Sequence, residues 1–191
     1  DPLVFRPDSM LGVPGLIDAM AAGNVVIANA PGAGVLESPA FAAFLPRLSM
    51  RLTGEDLRMH NIATWWCGQD SARNHVQASL DTMLIGPAFA SMPRGLPDGP
   101  MIGGALDDAA RAALLADLDR RGIDYVGQEL VRLSTLPTVG ANGLQPRPFV
   151  LRVFAARDAQ GHWSVMPGGF ARIGEHLDVR AALIGEGAFS A

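Results

Sequence analysis

Residues 24–39 read NVVIANAPGAGVLESP, a run of apolar residues that ends in polar and glycine positions before a helix start. Val25, Val26, Ile27 and Ala28 predict a short buried strand, because β-branched side chains favour extended backbone. The strand runs into Asn29 and a loop with Gly32 and Gly34, then Glu37 and the pair Ser38-Pro39. Glycine lets the backbone turn sharply or approach a ligand closely. Ser followed by Pro suits an N-cap and a first helical turn. Two readings fit: a tight turn whose glycines serve geometry alone, and a seat for a phosphate or a metal-bound phosphate at a helix start.

The 191 residues allow one large domain or two small ones with a real core. Hydrophobic residues make up 49% and charged residues 18%, which marks a globular chain on the apolar side. No apolar run reaches the ~18 residues of a membrane span. DPLVFRPDS at the start has neither a basic region nor the apolar core of a signal peptide. The net charge of -4 is spread without blocks, so no nucleic-acid or membrane surface is expected. One cysteine, Cys67, allows no internal disulfide and suits a reducing cytoplasm. Every basic side chain is arginine; there is no lysine. The opening Asp1-Pro2 and the closing GEGAFSA predict a piece of a longer polypeptide.

Leu3–Phe5 is a short apolar opening followed by Arg6, Asp8 and Ser9. A helix is expected over Pro14–Ala22, stopped by Gly23. A second runs over Ser38–Leu52 with a break near Leu45, since Pro46 cannot continue a helix from within. TWWC in Asn61–Gly68 predicts a turn that plugs two indoles into a core. Asp70 is placed to cap a helix to about Leu80, with Ala72, Val76 and Leu80 inward. Met83–Ile85 reads as a strand. Residues 86–104, rich in Pro, Gly and Met, show no periodicity and read as a lid or a disordered segment. Asp107–Arg121 is the clearest helix, with Ala110, Leu114 and Leu118 in line and Gly122 as its stop. Asp124–Leu130 is a strand ending in Gln128-Glu129, and Pro137–Pro148 a loop. Phe149–Ala156 is an apolar strand carrying Arg152, joined through a turn at Asp158–Gly161 to His162–Met166. Pro167-Gly168-Gly169 predicts a further turn before Arg172. Helices first and a hairpin-rich sheet second point to α+β, an antiparallel-rich sheet with packed helices. The division expected is 1–82, helical with the glycine loop, and 83–191, the sheet part.

Arg152 within VLRVF needs a carboxylate or phosphate partner, as does Arg172 beyond the glycine pair. A structural ion pair and a two-arginine phosphate clamp both satisfy that need. Gln128-Glu129 either reads an adenine edge or marks a strand end entering solvent. His60, His75, His162 and His176 lack metal spacing. Cys67 has no His-Asp pattern beside it. No GxxxxGK[ST] or GxGxxG occurs.

In order along the chain stand RPDSMLGVPGLIDAMAAGNVVIANAPGAGVLESPAF, TWWCG, LIGPAF, YVGQELVRLST, PRPFVLRVFAA and VMPGGFARI. Together they resemble the circularly permuted ATP-grasp family of type 2, bacterial proteins distantly related to glutathionylspermidine synthase. The resemblance implies an ATP-grasp-like fold whose Asn-Glu stretch comes first. It implies that Asn29 and Glu37 help hold Mg2+ and the ATP phosphates, with Gly32 and Gly34 close to the cofactor. Gln128 and Glu129 would lie at the adenine and ribose hinge, Arg152 and Arg172 at the phosphates or an acyl phosphate, and Arg6 with Asp8 along the cleft. Residues 87–104 would form the flap. Such enzymes transfer the γ-phosphoryl group of ATP to a carboxylate, which an amine then attacks; the protein positions the groups and neutralises charge. The implied partners are small-molecule or peptide carboxylate and amine substrates and the remaining parts of a longer chain. One position departs from the family: Gly86, in LIGP, stands where the family carries a basic residue, usually lysine. That departure supports an alternative, a degenerate nucleotide-binding or scaffold module without catalysis.

Overall fold

A computed structural model describes residues 1–89, 91–96, 99–140 and 143–174. Helices α1 (Leu16–Ala21), α2 (Pro39–Ala42) and α3 (Leu45–Thr53) come first. Strand β1 (Thr64–Trp66) and helix α4 (Asp70–Ala78) follow, then β2 (Met83–Pro87) and β3 (Met101–Ile102). Helix α5 (Asp108–Arg121) leads into β4 (Tyr125–Glu129). The described chain closes with β5 (Thr135–Gly140), β6 (Gly143–Arg157) and β7 (Trp163–Ile173). There are two antiparallel sheets, ordered β1-β4-β2-β3 and β5-β6-β7, so the mixed helix and antiparallel content expected of α+β is present.

Side-chain alternation divides the first sheet into two faces. Tyr125, Ile85 and Met83 point to the face covered by α4 and α5, where they pack with Val76, Leu80, Leu114 and Leu118. Each of these aliphatic side chains stabilises the fold by roughly 1.5–3 kcal/mol relative to exposure. Ala40 of α2 packs with Val126, Ala88 and Trp66 on the opposite face. Trp65 joins the first core and Trp66 the second. Within TWWC, Thr64–Trp66 is therefore a strand and the turn begins at Cys67; period-two alternation sends the adjacent indoles to opposite cores. The Trp66 indole N–H donates to Ile123 O at 2.9 Å.

Several helix expectations hold. The break before Pro46 separates α2 from α3, with the proline in the first turn of α3 where its missing N–H has no intrahelical role. Asp107 caps α5, its carboxylate accepting from the Ala110 N–H at 2.7 Å. Leu114 and Leu118 of α5 are buried, as are Ala72, Val76 and Leu80 on and beyond α4. Ala110, in contrast, is exposed, because the first turn of α5 overhangs the sheet. Gln69 rather than Asp70 occupies the N-cap position of α4, and the Asp70 carboxylate pairs instead with Arg73 at 2.7 Å.

Other expectations are corrected. Val25–Ala28 forms no strand; the segment is irregular, with Val26 94% exposed and no ladder partner among the described residues. Residues 86–104 are not wholly irregular: Met101-Ile102 pairs with Leu84-Ile85, and Leu96 is fully buried in the main core. Pro137–Pro148 is not a loop, since β5 pairs with β6 from Thr135↔Pro148 to Gly140↔Gly143. The prolines at 137 and 146 are tolerated there opposite one another. Pro167-Gly168-Gly169 lies within β7 rather than in a turn. The sequence irregularity appears as a register shift opposite Val153–Ala155, with Gly168 at φ 119.

Candidate functional site

The ladder of the second sheet fixes where the two arginines point. Val150 lies opposite Arg172 and Arg152 opposite Phe170. Directly opposed residues share a face, and so do residues two apart on one strand. Arg152 and Arg172 therefore emerge on one face of the β6–β7 hairpin, diagonal to each other. Phe154 and Phe170 stand beside them on that face, rings edge-to-face with centroids 5.9 Å apart. The other face presents Phe149, Leu151, Val153, Ala171 and Ile173 and carries no charge over this span. Arg152 is exposed and makes no ion pair with a described residue, whereas Arg172 is half-buried and has a bonding partner.

In the first sheet, Gln128 stands between Thr64 of β1 and Leu84 of β2. Its side-chain amide donates to Thr64 Oγ1 at 3.0 Å, which fixes the amide's position at the strand end. Glu129 follows, exposed, its N–H bonded to Ala63 O at 3.1 Å. A Cβ at Gly86, on the Gln128 face, would meet nothing closer than Pro100 at 3.8 Å and Val126 at 3.9 Å. Gly86 is itself buried, and a methyl group there would make ordinary van der Waals contacts with Pro100 and Val126.

The glycine-rich segment takes a different local form from a strand and loop. Asn29 has a left-handed backbone (φ 58), and Gly32 (φ 90) caps a 3-10 turn over Ala33–Glu37. Only glycine adopts the Gly32 geometry without strain. Gly34 sits inside that turn and Glu37 ends it, exposed. The Ser38 hydroxyl donates back to Val35 O at 2.6 Å. Arg6 forms a two-pronged pair with Asp8, at 3.0 and 3.3 Å, and the guanidinium holds the Asp8 carboxyl below its ordinary range. No hydrogen bond or ion pair joins Asn29 or Glu37 to Gln128, Glu129 or Arg152.

Among the described residues, no three His, Cys, Asp or Glu side chains gather to hold a metal ion. The Asn29 amide and Glu37 carboxylate still offer the oxygen donors a hard cation takes. Mg2+ commonly binds through one or two carboxylates together with substrate phosphates, so the pair fits a cation that arrives on a nucleotide and not a free-standing metal centre. Burial pushes the Cys67 thiol up to about 11, which keeps it protonated at neutral pH. His75 stacks on Trp65 with centroids 4.5 Å apart, and His162 pairs with Asp158 at 3.2 Å. His176 lies outside the described residues. Thr64, which positions Gln128, carries no sequence signal because its partner is far away in the chain.

The family model for circularly permuted ATP-grasp type 2 matches residues 1–174. The chain belongs to this ATP-grasp family. It is 35% identical over 176 residues to the uncharacterized protein ML0605 of Mycobacterium leprae (strain TN), covering 91% of this chain and 30% of the relative. It is 33% identical over 168 residues to the uncharacterized protein Rv2567 of Mycobacterium tuberculosis (strain ATCC 25618 / H37Rv), 88% of this chain and 18% of the relative. With the uncharacterized protein sll0335 of Synechocystis sp. (strain ATCC 27184 / PCC 6803 / Kazusa) it shares 31% over 173 residues, 91% and 35% respectively. The ATP-grasp chain therefore spans between about a fifth and a third of the length of these relatives. None of the described helices is long and apolar enough to cross a membrane.

Proposed function

We propose that this chain is part of an ATP-dependent ligase that joins a carboxylate to an amine through an acyl phosphate, using Mg-ATP. The family match over residues 1–174 carries the reading. The common face of Arg152 and Arg172 supports it, because two guanidinium groups on one face suit transferred phosphoryl oxygens. In this reading Arg152 and Arg172 neutralise charge at the reacting phosphoryl and carboxyl oxygens. Gln128 and Glu129 take the base and ribose, with Gln128 preset by Thr64. Gly32 and Gly34 let the backbone approach the phosphates, Arg6 lines the cleft, and Asn29 and Glu37 supply oxygen donors to the cation. The nucleotide itself provides the leaving group that activates the carboxylate. Small-molecule or peptide carboxylates and amines are the substrates, and the remaining polypeptide completes the permuted fold and the site in the cytoplasm.

A second reading, a nucleotide-binding or scaffold module without turnover, is favoured by one observation: Gly86 supplies no cationic side chain where the family's basic residue belongs. The deciding experiment is a thermal-shift titration with ATP, with and without Mg2+, on this chain and on the full-length polypeptide. A ligand that binds the folded form alone raises the melting temperature once its concentration exceeds Kd. The ligase reading expects a Mg2+-dependent rise that Asn29→Ala, Glu37→Ala and Arg152→Ala each reduce, followed by phosphate release with a carboxylate and an amine. Binding without turnover over a broad panel of acids and amines selects the second reading. No shift in either protein removes the ligase reading and favours the degenerate or structural one.

A further inference from the structure

A cavity of about 610 Å3 lies between the segment after β2 and the C-terminal end of α5. Its charged lining consists of Arg94, Arg120 and Arg121 with Asp117 and Asp124. It opens on the helix-covered side of the first sheet, since Tyr125 reaches it while hydrogen-bonding Asp117 of α5. Gln128 and Gly86 point to the opposite face, so the cavity lies across the sheet from them, while its wall from Phe89 to Arg94 belongs to the segment that the family resemblance reads as a flap.

Two of the cations are paired with carboxylates of the lining, Arg120 and Arg121 keeping 68% and 64% of their side chains exposed. Asp117 takes both Arg120 and the Tyr125 hydroxyl, and Asp124 takes Arg121 at 2.6 Å. A guanidinium has five N–H donors, so one carboxylate leaves several of them to a ligand. Arg94 makes no ion pair with a described residue. Its backbone is nevertheless fixed, because the next two residues are anchored. Gly95 abuts the Tyr125 hydroxyl so closely that a Cβ would lie 2.5 Å from it, and Leu96 is fully buried. Three arginines against two aspartates leave one positive charge in excess. Phe89 and Met92 add an apolar wall beside it. Pairing with Asp117 and Asp124 restrains two of the three guanidinium groups, which lowers the ordering cost of binding an anion.

We propose that this cavity is a second binding site, for a small phosphomonoester whose phosphate meets Arg94, Arg120 and Arg121 and whose apolar body lies on Phe89 and Met92. A phosphomonoester carries about -1.5 to -2 charge at neutral pH and three acceptor oxygens, which suits several guanidinium donors better than a carboxylate does.

The test is a calorimetric and 15N-NMR titration of the full chain with phenyl phosphate, inorganic phosphate and benzoate as probes. Phenyl phosphate is expected to bind most tightly and to shift the Gly95 and Arg121 amides. Arg94→Ala should weaken both phosphates about tenfold or more; being exposed and unpaired among the described residues, it leaves the fold intact. Phe89→Ala should weaken phenyl phosphate and not inorganic phosphate. Arg58→Ala, a surface arginine paired with Glu55 elsewhere, should change nothing. The proposal is overturned if no phosphate binds, or if Arg94→Ala binds as the wild type does. It is equally overturned if benzoate matches phenyl phosphate, or if Mg-ATP competes with phenyl phosphate. The last result would make the cavity part of the nucleotide site.

Discussion

The Tyr125 hydroxyl donates to Asp117 Oδ2 at 2.8 Å, tying the first residue of β4 to the last turns of α5. Gly95 abuts the same hydroxyl, a Cβ there lying 2.5 Å from it, so one phenol meets strand, helix and the segment after β2. Tyr125→Phe leaves a carboxylate oxygen of Asp117 short of a partner. It is expected to lower stability by about 1–3 kcal/mol, read from urea midpoints. A change below the error of the fit would show that the junction holds without the hydroxyl.

The same group sets an alkaline limit. Burial first, and then the Asp117 carboxylate, push the Tyr125 phenol from about 10 up to about 12. A group whose pKa is raised on folding contributes its full stability below the unfolded value and loses it as pH climbs toward the folded one. Stability is therefore expected to fall between about pH 10 and 12 by at most ~2–3 kcal/mol from this group. The chain has one tyrosine, so absorbance at 295 nm follows its ionisation directly. Cys67, raised from 9.0 to about 11 by burial, acts with the same sign and begins lower. Comparing Tyr125→Phe with Cys67→Ala over pH 8–12 separates the two; a flat profile in the wild type would contradict both shifts.

At neutral pH the Cys67 thiol is fully buried and protonated. Thiolate, not thiol, reacts with disulfide reagents. Labelling of the native chain is expected to be limited by opening of the fold, with rates that follow denaturant concentration. Fast stoichiometric labelling without denaturant would mean that the core around Leu118 and Val76 is open.

Where periodicity and hydrophobic pattern dominate, the sequence was readable. Asp107, Leu114 and Leu118 define α5, and Val76 and Leu80 lie inward as their spacing requires. Val25–Ala28 misled because strand propensity needs a ladder partner, which β-branched residues cannot supply for themselves. Thr135–Gly140 was hidden for the opposite reason: its prolines and glycine read as loop, yet pairing with β6 makes a strand of them. The adjacent indoles of β1 required knowledge of which helices cover each face. In the candidate site, the resemblance named Arg152 and Arg172, but their common face follows only from the register. The cavity at Arg94, Arg120 and Arg121 had no local pattern, because its two lining segments are separated in the chain and meet through Tyr125.

Two glycines in neighbouring strands make a sharp contrast. Gly127 is buried, and a Cβ there would lie 2.5 Å from Val76 Cγ2. Gly86, one rung away, has 3.8 Å of clearance. Gly127→Ala is expected to destabilise by about 1–3 kcal/mol through overpacking against α4. Gly86→Ala should be neutral or slightly stabilising, since it only restricts the unfolded chain. Under the ligase reading Gly86→Lys should tighten Mg-ATP binding. Equal melting temperatures for Gly127→Ala and the wild type would place α4 further from the sheet than described.

Exposed apolar residues of the β6–β7 hairpin offer the last test. Leu151 and Val165 are 59% and 61% exposed there, in a chain that spans less than two fifths of the relatives' length. Side chains that stay in water contribute little to folding, and surface substitutions usually remain within about 0.5 kcal/mol. Threonine keeps a branched shape suited to a strand while adding a hydroxyl. Leu151→Thr with Val165→Thr is therefore expected to leave the unfolding midpoint of this chain almost unchanged while lowering its fluorescence with anilinonaphthalene sulfonate. A loss above ~1.5 kcal/mol would mean that these residues are covered within the chain itself, against the exposure on which the expectation rests.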